Sequence, residues 1–358
     1  MMAHEFKLLR RILKERSGID LNEDKMDLVE AKLRPILKEY DFPSIAHLTL
    51  ALMKPDNDHL RSRVAQTIAV LESYFFRDKA PFAYFTETML PRLMERRAAS
   101  RRIRIWCAAS STGQEPYSLA MLLSEEGRKL DGWNVEIVAT DFSEEALRKA
   151  RAGLYSQFEV QRGLPVSMLV KFFNKSGNGW QIKKEARDRV AFREHNLLND
   201  CQELGRFDII FCRNVLIYFD EQLKTAVLGR LARQLAPDGY LVLGAAESTT
   251  GMSPDFMPVP EWHHGVFCLT PDVAAARRQA RQLRGPLNAG LVPGRGEGVT
   301  VALKDPAVRE VHLDPATAEL LEARARARGL TLAELLTEFA VSETPKTQNW
   351  PAFKAGRS

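Results

Sequence analysis

Four polar side chains stand where chemistry could be done: Glu115, Asp141, Asn196 and Asn214, each at or just beyond the end of an apolar run. RIRIWCAASSTGQEP carries such a run into a turn of small residues and out through Glu115 and Pro116. NVEIVATD ends on Asp141, RVAFREHN on Asn196 and FDIIFCRN on Asn214. Apolar runs of this kind read as buried parallel strands, and ligands of open α/β sheets sit beyond the carboxyl ends of such strands. A carboxylate ending the second strand can accept hydrogen bonds from two ribose hydroxyls. The small residues after the first strand let backbone approach a ligand, with Gly113 able to take a positive φ. An amide at Asn196 can read an adenine edge, and Asn214 would face the other end of the ligand. Asparagines after strands also serve simply as turn formers, so both readings stand at this point.

The charge of the turn narrows the ligand class. The glycine pattern G-x-G-x-x-G is absent, and the interval from Gly113 to Asp141 exceeds the ~20 residues of the nicotinamide fingerprint. Glu115 occupies the place where a pyrophosphate would need a bare helix amino end, and its charge would repel phosphate. A cofactor with an ammonium and a sulfonium, S-adenosylmethionine, suits a carboxylate there, since opposite charges attract strongly in a partly dry cleft. Glu115 could equally do no more than favour the dipole of the helix it begins.

The elements that must position these residues fall into a regular order. Residues 4 to about 70 have helical periodicity: FKLLRRILKERSG stopped by Gly18, NEDKMDLVEAKLRPILKEY, SIAHLTLALM capped by Ser44, and HLRSRVAQTIAVLE. From Arg101 strands and helices alternate, which implies an α/β fold, a doubly wound and mostly parallel sheet behind an N-terminal helical bundle. At 358 residues the chain can bury a large core in two or three domains. There is no continuous apolar segment of membrane-spanning length and no signal-peptide pattern, so a cytoplasmic location without membrane insertion is expected. Cys107, Cys201, Cys212 and Cys268 lie far apart without a CxxC and read as reduced thiols, and no metal is expected. The net charge of +5 is mild, but PRLMERRAASRRIR concentrates arginine and reads either as a steering patch for an acidic partner or as a solvated face.

SGIDLNEDKMDLVEAKLRP, YFFRD, AASSTGQEPYSLAMLL, ATDFSEEALRKARAGLY, RGLP, NLL, FDIIFCRNVLIYFD and GYLVLGAAES together resemble the CheR-type chemotaxis receptor glutamate O-methyltransferases, from Phe6 to about Thr270. The resemblance implies a helical domain over 1–90, a class I methyltransferase domain over 91–271, and a small antiparallel β-subdomain inserted at about 168–193. FFNKSGNGWQIKKEARDRVAF fits that insertion, with Ser-Gly-Asn-Gly as its turn. It places S-adenosylmethionine against Ser73, Arg77, Glu115, Asp141, Asn196, Leu197, Asn214 and Val215, with Arg77 and Tyr218 as the catalytic pair near the methyl-transfer position. It also implies Asn at the position of Leu71, so one amide contact is absent here. Phe75 and Phe76 read as core. The implied substrate is glutamate on the cytoplasmic helical region of chemoreceptors. A glutamate with a solution pKa of about 4.3 is already a nucleophile at neutral pH, so alignment rather than a general base is required. Two other functions share the cofactor site: a small-molecule methyltransferase, which leaves the helical domain unexplained, and a non-catalytic cofactor-sensing scaffold.

Beyond residue 271 the pattern changes. Residues 272–306, rich in Arg, Ala, Gly and Pro, read as a linker. Residues 307–342 show strand, helix, turn, helix, with Pro315, Gly329 and the capping box Thr331 to Glu334 marking boundaries. This order resembles a ribbon-helix-helix module, which pairs its strand with a second copy; a homodimer is expected, ahead of DNA binding, because REVHLD is only weakly basic. The tail 343–358 reads as disordered. Its NWPAF resembles the peptide by which some chemoreceptors tether these enzymes.

Overall fold

The computed structural model describes residues 1–69, 72–262, 265–283, 299–302 and 310–313, with isolated positions beyond. The chain forms two compact units, Met1–Leu283 and Arg284–Ser358.

The first unit opens with four helices, α1 (Ala3–Ser17), α2 (Met26–Glu39), α3 (Ile45–Leu52) and α4 (Asp58–Ile68). Their apolar stripes bury Phe6, Leu9, Leu13, Leu33, Ile36, Leu48 and Val64 in a core of their own. Gly18 ends α1 in the left-handed region, φ 75, returning its N–H to the Lys14 carbonyl. Ser44 precedes α3 as the sequence suggests, but its hydroxyl meets His47 Nδ1 at 2.9 Å rather than a backbone N–H. Two helices follow, α5 (Ala80–Tyr84) and α6 (Leu90–Arg96), joined by a π-helical segment, Phe85–Met89.

The sheet begins with β1 (Arg102–Ala108), α7 (Gln114–Glu125), β2 (Asn134–Asp141) and α8 (Glu144–Ala152), the last capped by the Ser143 hydroxyl. Then come β3 (Leu154–Ser156), α9 (Gln157–Gln161), α10 (Val166–Phe172), β4 (Phe173–Ser176), β5 (Gly179–Ile182) and α11 (Lys184–Arg187). The chain returns to the main sheet with β6 (Val190–Glu194), β7 (Phe207–Cys212), α12 (Glu221–Gln234), β8 (Leu235–Leu243), β9 (Phe256–Pro258) and β10 (Val266–Leu269), and closes on α13 (Pro271–Leu283). The seven-stranded order is β6-β2-β1-β7-β8-β10-β9. The first five are parallel; β10 runs antiparallel to both its neighbours. The order reverses at β1, so a crevice forms beyond its carboxyl end. Side-chain alternation splits β1 between two cores: Ile103, Ile105 and Cys107 face one layer, Trp106 and Ala108 the other. Phe75 and Phe76 pack in the first of these layers, as expected.

Three expectations need adjusting. The β-subdomain is the three-stranded antiparallel set β3-β5-β4, so it begins at Leu154 rather than near 168, and β6 at its far boundary belongs to the main sheet. A three-residue strand gives too little alternation to be read from sequence. The start of the supposed linker is α13, held by Arg277 on the carbonyl of Ala232. In the second unit β11 (Val299–Ala302) pairs antiparallel with β12 (Glu310–Leu313). The strand expected to seek a second copy therefore has a partner in its own chain, in a stretch read as linker, and the strand argument for a dimer loses its premise. The helices expected over 315–341 are almost wholly outside the described residues, and the NWPAF tail lies wholly outside them.

Candidate active site

The carboxyl ends of β1, β2, β6 and β7 open on a cleft, the place where ligands of open α/β sheets sit. All nine residues singled out from the sequence line it. Ser73 and Arg77 come from the segment before α5, Glu115 from the first turn of α7, and Asp141 from the end of β2. Asn196 and Leu197 follow β6, Asn214 and Val215 follow β7, and Tyr218 ends the short turn Leu216–Tyr218. Leu71 is outside the described residues.

Local geometry explains how they come together. Asp141 accepts the Ser111 N–H at 2.8 Å on one oxygen and the Ser143 N–H at 2.9 Å on the other, which stitches the turn after β1 to the end of β2. Burial raises its carboxyl above the ordinary value, with these N–H groups opposing. Gly113 takes φ 93, and a Cβ there would lie 2.9 Å from that of Ala150. Six non-glycine residues around the cleft, Phe76, Asp78, Lys79, Ala109, Ser111 and Asn214, also hold positive φ. Each such conformation costs on the order of 1–3 kcal/mol and persists where neighbours over-determine it, as at ligand clamps. The Asn214 turn is held by Glu247, which accepts the N–H groups of Asn214 and Gly244, both at 2.7 Å.

Asn196 is engaged differently from the sequence reading. Its amide donates to the Arg16 carbonyl at 2.6 Å and accepts the Leu198 N–H at 3.0 Å, which ties the loop after β6 to the end of α1. One amide hydrogen is left for a ligand. The helical domain also contributes Ser17 and Ile19 to the wall, and the Asp20 N–H holds the Tyr218 carbonyl at 2.9 Å. Burial raises the Tyr218 hydroxyl above its usual value, opposed by Arg77, so it is a proton donor at neutral pH.

Sequence reasoning missed Arg213, Ser110 and His195. Among the described residues three buried side-chain polar atoms have no partner, Ser110 Oγ, His195 Nε2 and Arg213 Nε, and all three belong to residues lining this cleft. Buried polar groups are paired in the great majority of cases, so three orphans on one cavity mark where a polar ligand belongs. A signal for Arg213 was present: a charged residue directly after the four apolar positions IIFC.

The residues fit S-adenosylmethionine. Each oxygen of Asp141 has spent one lone pair and keeps another for a ribose hydroxyl. Glu115 presents a carboxylate oxygen beside the cleft, its other oxygen being 2.9 Å from Arg213. A phosphate would meet the Glu115, Asp141 and Glu72 carboxylates instead.

Comparison with known proteins agrees with this geometry. The family model for the CheR methyltransferase SAM binding domain matches residues 71–263, and that for the CheR methyltransferase all-alpha domain matches residues 4–68. Chemotaxis protein methyltransferase 1 of Vibrio cholerae is 40% identical over 255 residues, 70% of this chain and 92% of that one. Chemotaxis protein methyltransferase Cher2 of Pseudomonas putida is 36% identical over 267 residues, 74% and 96% of the two chains. The chemotaxis protein methyltransferase of Borreliella burgdorferi is 32% identical over 253 residues, 69% and 89%. With its bundle and its sheet each matched by a CheR family model, the chain belongs to the CheR family of S-adenosylmethionine-dependent chemotaxis methyltransferases.

Proposed function

We propose that the chain methylates glutamate side chains of chemoreceptors, forming carboxyl methyl esters, with Arg77 and Tyr218 acting on the incoming carboxylate. The observation that carries this reading is the convergence of both residues with the acidic and amide groups and three orphaned polar atoms on one cleft. When bound, S-adenosylmethionine would supply a methyl group on a sulfonium, the carbon–sulfur electron pair returning to sulfur as the ester bond formed. The protein's own part is binding and alignment. Asp141 would accept from ribose hydroxyls, and Glu115 and Asn214 would hold the amino-acid end. Arg77 is tied only by a long contact from Nη1 to the Glu72 carbonyl, 3.4 Å, and lies over the Tyr74 ring. Its remaining donors can grip a carboxylate in two-point fashion while the Tyr218 hydroxyl orients it. No base is needed, because the substrate is ionised at neutral pH. Holding reactants in line in a dry cleft is worth up to about 7–11 kcal/mol.

The names of the relatives support a chemotaxis substrate, whereas the basic stretch at Arg92, Arg96, Arg101 and Arg102 leads into the amino end of β1, remote from the cleft at its carboxyl end, and adds nothing to that reading. Arg92 and Arg102 are each paired on one side, with Glu261 and Glu136. Among the described residues no helix is long and apolar enough to cross a membrane. The test is transfer of tritiated methyl from S-adenosylmethionine into membranes that contain the organism's chemoreceptors. The expected label is base-labile and released as methanol. Label that resists base, or none at all from a protein that binds the cofactor, overturns the proposal.

A further inference from the structure

β7 delivers a buried charge that the proposed reaction does not consume. Its six residues are all buried, and Arg213 follows them with its side chain 2% exposed. A buried guanidinium is tolerated only when its donors are met. Nη1 donates to Glu115 at 2.9 Å, and Nη2 donates at 2.8 Å both to Asp78 and to the main-chain carbonyl of Arg77. Its carbon also lies 5.6 Å from the centre of the Phe82 ring.

Two parts of the site thereby depend on one side chain. The carbonyl it grips is that of Arg77, inside a stretch where Phe76, Asp78 and Lys79 hold left-handed φ of 51, 66 and 48. Such backbone stays put only while clamped. The clamps are Arg213 on one side and the Ser118 hydroxyl, accepting the Phe76 N–H at 3.0 Å, on the other. The second dependant is Glu115. Burial favours its neutral form, as does Glu247; Arg213 foremost, then Arg77, favour the carboxylate. Cys107 on β1 faces the same space as a thiol that burial keeps protonated, and Asp78 shares the guanidinium. A neutral Glu115 would offer a cofactor's ammonium a hydroxyl in place of a charge.

We infer that Arg213 is a positioning residue with two outputs: it fixes Arg77 through that residue's own carbonyl, and it keeps Glu115 ionised. The inference rests on the reading of the cleft as a cofactor site, so binding of S-adenosylhomocysteine by the unaltered full-length protein is measured first; no binding would sink that reading before Arg213 is at issue. Calorimetric affinity is then followed between pH 6 and 8.5, with single-turnover receptor methylation alongside. The unaltered protein should show little pH dependence. In Arg213→Met, affinity should fall on the acid side by up to about tenfold per pH unit as Glu115 takes up a proton. That acid limb should vanish in Arg213→Met with Glu115→Gln. Arg213→Lys keeps the charge but not the fork, so affinity and its pH profile should stay close to normal while single-turnover rate drops by about tenfold or more. An Arg213→Met protein with the unaltered pH profile, or an Arg213→Lys protein of unaltered rate, overturns the inference. If Arg213→Met fails to fold, the Lys variant decides by rate against affinity.

Discussion

The two ends of the parallel sheet each hold an arginine among acids, half-buried Arg97 at one and buried Arg213 at the other, yet they are built to opposite ends. At the amino end Arg97 spends its donors on Asp208 and Asp238: Nε to Asp208 at 2.9 Å, and Nη1 and Nη2 to Asp238 at 2.9 and 2.6 Å. Asp208 also takes the Arg104 N–H at 2.8 Å, and no side-chain atom there is orphaned. At the carboxyl end Arg213 leaves Nε without a partner, beside the unpartnered Ser110 and His195 atoms and six left-handed non-glycine residues. The same chemical parts make a staple with no buried polar atom left over among the described residues, and a site where some are left for something else. The lesson is that satisfaction of polar atoms, rather than burial of charge, separates structure from function in this fold.

The largest effects should divide cleanly between the two ends. Arg97→Met should cost about 2–4 kcal/mol of unfolding stability, somewhat less than a fully buried pair because the side chain is 17% exposed. Methyl transfer per folded molecule should be unchanged. Arg77→Ala should do the reverse, cutting single-turnover rate by about a hundredfold or more with little change in denaturant midpoint. Loss of rate in the first variant or of stability in the second would break the comparison.

Tyr218→Phe should have a smaller effect, slowing transfer by about tenfold while cofactor affinity holds. An unchanged single-turnover rate would remove Tyr218 from the chemistry.

Acid should act on the two ends with opposite sign. Burial pushes the Asp238 carboxyl up, but the Arg97 contacts together hold it below the ordinary value. Its stabilisation is therefore complete above the ordinary carboxylate value of about 3.9 and is lost as pH falls through the lower folded value. Glu115 and Asp141 are raised by burial, so in the cofactor-free protein their ionisation costs stability at neutral pH, and that cost is relieved as pH falls through their folded values. In urea unfolding without cofactor, the stability of the unaltered chain relative to Glu115→Gln should rise as pH falls through mild acid, on top of the fixed offset from removing a charged partner of Arg213. Asp238→Asn should be less stable at neutral pH, with the gap closing only below about pH 3.9. A common pH course for both variants would count against the distinction.

The smallest effect belongs to the surface. Arg63 pairs with Glu39 at 3.0 Å and with Glu145 at 2.8 Å, joining bundle to sheet through partly exposed groups. Arg63→Ala should cost about 0.2–1 kcal/mol, readable as a small thermal shift that salt reduces.

What was legible in the sequence follows from range. Each of Glu115, Asp141, Asn196 and Asn214 ends or follows its own apolar run, so a local pattern sufficed to put them at strand ends, and family motifs added Ser73, Arg77 and Tyr218. Ser17 and Ile19 sit on a helix end whose pattern speaks only of its own bundle, and their place on the cleft wall depends on the Asn196 to Arg16 contact, far apart in the chain. The same contact turned Asn196 from a free reader of adenine into a half-engaged tie. β3 and β11 escaped notice because strands of three and four residues carry almost no periodic signal. Arg213 could have been found, since a guanidinium directly after the apolar run IIFC has to be answered by acids somewhere.

The end of α1 has a consequence for any attempt to rearrange the molecule. Gly18 is pressed so closely on the start of α12 that a Cβ would lie 2.4 Å from Leu223, and two residues later the backbone of Asp20 grips Tyr218. The bundle is thus a piece of the cleft wall supplied from outside the sheet domain. A chimera that exchanges the bundle for one of different ancestry, or a minimal enzyme begun after residue 70, would inherit every motif of the sheet and still lack the hand that holds its tyrosine.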